Sequence, residues 1–103
     1  MSTIKSVRPL SDRPLVSIIV ATLNHAHFLA DTIASVLTQD YDQLELIVVD
    51  GGSTDDTIDL LQSYERDTRL RWISESDNGP QDATRKGLRL ARGELIGFQH
   101  DSY

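Results

Sequence analysis

Apolar positions along this chain fall into four short runs, and the segments between them repeat at helical spacing. Residues 15–22 (LVSIIVAT) and 44–50 (LELIVVD) are nearly continuous in Leu, Ile and Val. Such runs predict strands covered on both faces, as in a parallel sheet. Residues 69–74 (RLRWIS) alternate polar and apolar, which predicts a shorter strand nearer the sheet edge. Residues 94–98 (ELIGF) supply a fourth strand. Between the first two, Leu29, Ile33, Val36 and Leu37 recur at helical spacing and predict a helix over 26–38. Ile58, Leu61 and Tyr64 line a second helix, started by GGSTDDT, where Ser53 and Asp56 have capping-box spacing. Ala83, Gly87, Leu88 and Ala91 mark a third, with Gly93 placed as its C-cap. The order β-α-β-α-β-α-β with short connections predicts a doubly wound, mainly parallel α/β sheet over residues 15–103. Residues 1–14 hold two prolines and no periodicity, and read as a flexible N-terminal arm.

Composition narrows the partners. A formal net charge of -6, with only ten Lys and Arg spread along 103 residues, excludes a nucleic-acid backbone as the main ligand. The absence of cysteine removes disulfides and thiolate metal sites. The first 14 residues hold no apolar run that could serve as a signal peptide, and no run in the chain approaches the ~20 residues of a membrane span, so a cytoplasmic chain is expected.

In an open α/β sheet, ligands bind beyond the carboxyl ends of the strands. Those ends here gather Thr22, Asn24, Asp50, Ser53, Asp77, Asp82, His100 and Asp101. No glycine fingerprint follows the first strand and no Walker motif occurs, so a dinucleotide or P-loop site is excluded. Thr22 and Asn24 read either as ligand contacts or as a turn bonding its own backbone. Asp50 could accept a hydrogen bond from a base imide or a ribose hydroxyl, and equally could hold the GGST turn. Asp101 could bind a hard divalent cation through oxygen, while His100 reads as a solvated polar residue.

These residues resemble family 2 glycosyltransferases of the GT-A fold, from residue 14 to about 100. The likeness runs through PLVSIIVATLNHAHFLADTIASVLTQ, LELIVVDGGSTDDT and DNGPQDATRKGLRLARGELIGF. The resemblance implies a Rossmann-like half that binds a nucleotide diphosphate sugar, such as a UDP-sugar, for inverting transfer to an acceptor hydroxyl. It implies donor-binding roles for Thr22, Asn24, Asp50, Gly51, Asp82 and Asp101. Leu23 stands where an aromatic residue is common, Gly51 where a second Asp is frequent, and Arg85 where Asn is usual. Asp101 would hold Mg or Mn, weakened because Ser102 or Tyr103 replaces a second acid. The family's general base and acceptor pocket follow the metal motif, so no catalytic residue is assigned. The chain reads as a truncated donor-binding half, inactive alone; a non-catalytic nucleotide-binding module or vestigial fragment is the alternative. An unknown acceptor, a peripheral membrane surface or a partner chain completes the expected partners.

Overall fold

The structure, a computed structural model, describes residues 13–99. Its elements follow the predicted order: β1 (Val16–Thr22), α1 (Ala26–Leu37), β2 (Leu44–Asp50), α2 (Thr57–Gln62), β3 (Leu70–Ser74), α3 (Pro80–Leu90) and β4 (Leu95–Phe98). All strand pairs are parallel, in the spatial order β3-β2-β1-β4. The expected α/β fold is therefore present, with β3 and β4 at the two edges.

The continuous apolar run of β2 has its reason in the packing, since all seven of its residues are buried. On one face Val20, Leu46 and Val48 pack with Leu29, Ile33 and Val36 of α1 and Leu61 of α2. On the other, Ile19, Ile47 and Val49 meet Ala83 of α3. Gly87 lets α3 come close, because a Cβ there would stand 2.5 Å from Ile19 Cγ2.

Several local expectations are corrected. Ser53 and Asp56 form no capping box: Asp56 is the N-cap of α2 and makes no side-chain cap bond. Tyr64 lies beyond the end of α2, yet packs against the same core. Leu88 is 45% exposed rather than buried. Gly93 is not the C-cap of α3, a place taken by Ala91. Gly93 instead passes so near β1 that a Cβ would lie 2.7 Å from Leu15 O and Ser17 N, and its N–H donates to Ser17 Oγ at 2.8 Å. Of the 1–14 arm, residues 1–12 lie outside the described residues; Arg13 pairs with Asp42, and the Tyr41 hydroxyl donates to the Pro14 carbonyl.

One polar group sits inside this apolar frame. Glu45, on β2, is buried at the amino end of the sheet. Ser17 Oγ donates to its Oε2 at 2.6 Å and the Arg92 main-chain N–H at 2.7 Å. Arg71 and Arg92 meet Oε1 at 3.1 and 3.2 Å. Arg71 also donates to Leu90 O at 2.9 Å, so the network ties β1, β2 and β3 to the end of α3. Burial alone would raise the Glu45 pKa, but the Ser17 hydroxyl, the Arg92 N–H and the two guanidinium groups together hold it below its ordinary value.

Candidate nucleotide-binding edge

Strand order decides where a ligand can sit. The chain steps from β1 to β2 to β3 in one direction, and α3 then carries it back to β4 on the other side of β1. That reversal opens a crevice at the carboxyl ends of β1 and β4. Thr22, Asp50 and Ser74 end their strands in register, so three polar residues form a row across this edge.

The row is bonded inward. Asp50 is fully buried, and its Oδ2 accepts from Gly52 N at 3.2 Å, Ser53 N at 2.8 Å and Ser74 Oγ at 2.7 Å. Its Oδ1 accepts the Ser53 hydroxyl. Asp50 thus occupies the turn-holding position that was one of its two sequence readings. Gly52, at φ 96°, takes the left-handed conformation this turn needs. The Gly51 N–H donates to Thr22 O at 2.9 Å, joining the exits of β1 and β2. Thr22 itself is buried.

Asn24 couples the two crossovers. It adopts φ 53°, a region where Asn is better tolerated than most residues. Its Oδ1 accepts from Thr54 N at 2.7 Å and Asp55 N at 3.3 Å, while its own N–H donates to Ser53 Oγ at 2.8 Å. Asp55 returns the bond: its Oδ2 accepts from Ala26 N at the start of α1, at 3.2 Å. Its Oδ1 accepts from Thr57 N at 2.9 Å and from the Thr57 hydroxyl. The Thr57 hydroxyl, opposed by burial and helped by the Thr57 and Ala26 N–H groups, holds the Asp55 carboxyl below its usual range. The β1–α1 and β2–α2 turns are therefore one cross-bonded rim.

Asp82 lies elsewhere, in the first turn of α3. It accepts from Asn78 N at 3.1 Å and stands 3.6 Å from Lys86 Nζ. The Asn78 N–H, against a smaller opposing effect of burial and with Lys86 and Arg85 adding to it, lowers its pKa. Asp77 Oδ1 accepts from Gly79 N at 2.9 Å. Lys86 reaches Glu75 at 3.0 Å, which raises its own pKa. The structure thus brings Thr22, Asn24, Asp50 and Gly51 together, and places Asp82 apart from them in the first turn of α3. His100 and Asp101 lie outside the described residues. Among those described, no three His, Asp or Glu side chains cluster as metal ligands would, and no helix is long and apolar enough to cross a membrane.

Asp55, Thr54 and Ser74 were not singled out from the sequence. Asp55 was open to discovery as an Asp two residues before a Thr, the spacing of a side chain that bonds its own turn. Ser74 carries no such signal, since only the strand register sets it opposite Asp50.

The sequence and the fold both have relatives among known proteins. The model of "Glycosyl transferase family 2" matches residues 17–101. The chain belongs to this family of glycosyltransferases. It is 40% identical over 88 residues to the putative teichuronic acid biosynthesis glycosyltransferase TuaG of Bacillus subtilis, covering 84% of this chain and 35% of that protein. It is 39% identical over 85 residues to chondroitin synthase of Escherichia coli, covering 82% of this chain and 12% of the relative. Among solved structures, the mannosyltransferase PcManGT of Pyrobaculum calidifontis, in complex with GDP-Man and Mn2+, superposes with a TM-score of 0.75 at 33% identity. That match covers 91% of this chain and 29% of the mannosyltransferase. S. aureus TarS in complex with UDP-GlcNAc gives 0.76 at 28% identity, over 82% of this chain and 26% of TarS. The chain spans about a third or less of the length of these relatives.

A paired substitution separates the conformation of Asn24 from its side-chain bonds. Asn24→Gly keeps the positive φ and removes the bonds to Thr54 and Asp55; it should cost about 1 kcal/mol. Asn24→Ala adds backbone strain and should cost about 2 kcal/mol. Urea unfolding of both variants checks the order, and equal midpoints would show that the φ angle is immaterial.

Proposed function

We propose that this domain is the donor-binding half of a glycosyltransferase, holding a nucleoside diphosphate sugar at the carboxyl edge of β1 and β2. The observation that carries this reading is the cross-bonded rim at the carboxyl ends of β1 and β2, beside the switch point, in a chain of this family. A nucleotide site needs backbone held in a fixed conformation, and the Asn24–Ser53–Asp50 network fixes the two turns at this edge. Asp50 and Asn24 act on the donor chiefly by positioning Gly51–Ser53 and Thr54, because their oxygens are already engaged. Thr22 closes the floor, and Asp82 steadies the loop before α3 on the donor side.

The nucleotide is read as UDP; solved relatives are complexed with UDP-GlcNAc and with GDP-Man. A divalent cation, Mg or Mn, would meet Asp101 and neutralise the departing diphosphate. Mn2+ in the mannosyltransferase complex supports that choice. Transfer is read as inverting, with the general base and acceptor pocket supplied by sequence beyond this half, so these residues alone bind without transferring sugar.

The test is an amide NMR titration of the 103-residue chain with UDP, with and without Mg. Shifts concentrated in residues 22–24, 50–55 and 77–82 are expected, together with a Mg-dependent change lost in Asp101→Ala. Well-dispersed spectra that ignore both UDP and GDP would overturn the reading. Release of sugar onto an acceptor by this chain alone would overturn the assignment of inactivity.

A further inference from the structure

The segment from β3 into α3 carries acid to the edge of the rim. Residues 75–82 hold Glu75, Asp77 and Asp82 and neither Lys nor Arg. This segment is pinned to the turn that Asp50 holds: the Glu75 N–H donates to Asp50 O at 3.0 Å, and the Ser74 hydroxyl to Asp50 Oδ2 at 2.7 Å. Ser76 follows so closely that a Cβ on Gly52 would lie 3.5 Å from its Oγ and 3.6 Å from its main-chain N. Glu75 therefore stands at the same edge as the Gly51–Ser53 segment, with Asp77 two residues on. An anionic ligand approaching that edge is repelled by these carboxylates unless a cation offsets them.

Lys86 supplies that cation. Its side chain is only 19% exposed, and its Nζ stands 3.0 Å from Glu75 Oε1 and 3.6 Å from Asp82 Oδ2, one helical turn earlier in α3. It also donates to Ser76 O at 3.3 Å, so the ammonium is held at the residues that meet Asp50 and Gly52. Glu75 first, and then Asp82 and Asp77, favour its charged form. Pairs as exposed as Lys86–Glu75 contribute little to stability, so the charge they set beside the rim is their larger consequence.

We propose that Lys86 sets the ligand preference of the donor edge: by offsetting the carboxylates between β3 and α3, it lets a nucleoside diphosphate bind there in preference to an uncharged nucleoside. The inference rests on the donor-binding reading above and adds to it a residue outside the rim. Lys86 acts on the ligand indirectly, through the charge of Glu75 and its neighbours. Its loss would turn the segment into an unbalanced acidic wall facing the two phosphates.

Amide NMR titrations of the 103-residue chain with UDP and with uridine, at 20 mM salt without added Mg, test it. Lys86→Met should weaken UDP binding about fivefold and leave uridine binding within about twofold of wild type. Lys86→Arg keeps the charge and should bind UDP within about twofold of wild type. Glu75→Gln should act in the opposite direction and tighten UDP binding about twofold. That variant carries the test if Lys86→Met fails to fold. At 500 mM salt these differences should largely vanish. Where uridine binds too weakly to titrate, the opposite signs and the salt dependence decide. Weaker UDP binding in both Lys86→Met and Glu75→Gln would make the pair a structural clip and overturn the inference. Equal losses of UDP and uridine in Lys86→Met would also overturn it. A wild-type chain that binds neither UDP nor GDP overturns the donor-binding reading and this inference with it. UDP binding that is present in wild type and unaltered in both variants overturns this inference alone.

Discussion

Asp50→Ala is expected to destabilise the domain by about 3 kcal/mol and to abolish nucleotide binding. The carboxylate is fully buried and accepts bonds from the N–H groups of Gly52 and Ser53 and from the hydroxyls of Ser53 and Ser74. Removing it strands four donors at once, and buried donors left without an acceptor cost about 1–3 kcal/mol each where water cannot reach them. The Gly52–Ser53 segment stands at the rim, so hydration recovers part of that cost and brings the net loss to about 3 kcal/mol. Asp50→Asn tests the same network more gently: one carbonyl oxygen survives for Ser53 N, whereas the amide group meets donors with donors. Urea midpoints should fall in the order wild type, Asn, Ala, and UDP shifts should weaken in the same order. An Ala variant as stable as wild type would mean that the strand ends hold the turn unaided.

Glu45 carries the second large effect, at the opposite end of the sheet. Glu45→Ala removes the shared acceptor of the Ser17 hydroxyl, the Arg92 N–H and two guanidinium groups, at a cost of about 3 kcal/mol. Stability should also depend on pH in a defined direction. The folded-state pKa lies below the ordinary 4.5, so the folded protein binds a proton less readily than the unfolded chain. The stabilisation is then fully present above about pH 4.5 and is lost as pH falls through the lowered folded-state value. Wild type and Glu45→Gln should therefore differ most in urea midpoint at pH 7 and converge towards pH 3. A gap that persists at pH 3 would assign the effect to packing rather than charge.

Both residues show what the sequence disclosed and what it withheld. The β2 boundaries were legible because an unbroken Leu-Ile-Val run has no other economical packing, and Asp50 ends that run in an obvious way. The acid at position 45, inside the same run, gave no sign of its role. Its partners Ser17, Arg71 and Arg92 are 28, 26 and 47 residues away, and only the sheet register brings them together. Leu88 misled for a related reason: its place beside Gly87 and three residues before Ala91 suits a buried stripe, but Ala83 and Gly87 already bring the helix against the sheet, and position 88 turns outward. Gly93 resembled a helix stop because glycines often are one, whereas its packing against Leu15 and Ser17 depends on a strand some 76 residues earlier. At the site, the polar identities were visible as a group, but the direction of each bond was not. Asn24 and Asp50 were legible as important; that both hold the turn after β2 required the fold.

The strand order also bears on how the chain finds this structure. Pairing β1 with β2 brings together Val16 and Leu44, and pairing β1 with β4 brings together Val16 and Leu95. The longer closure costs about 0.9 kcal/mol more in chain entropy, and among the described residues β4 repays it with four paired residues along one neighbour. The β1–β2–β3 sheet with α1 and α2 is thus the part that assembles first. β4 is then expected to dock last and open first, so one wall of the proposed donor site would be the least durable part of the sheet.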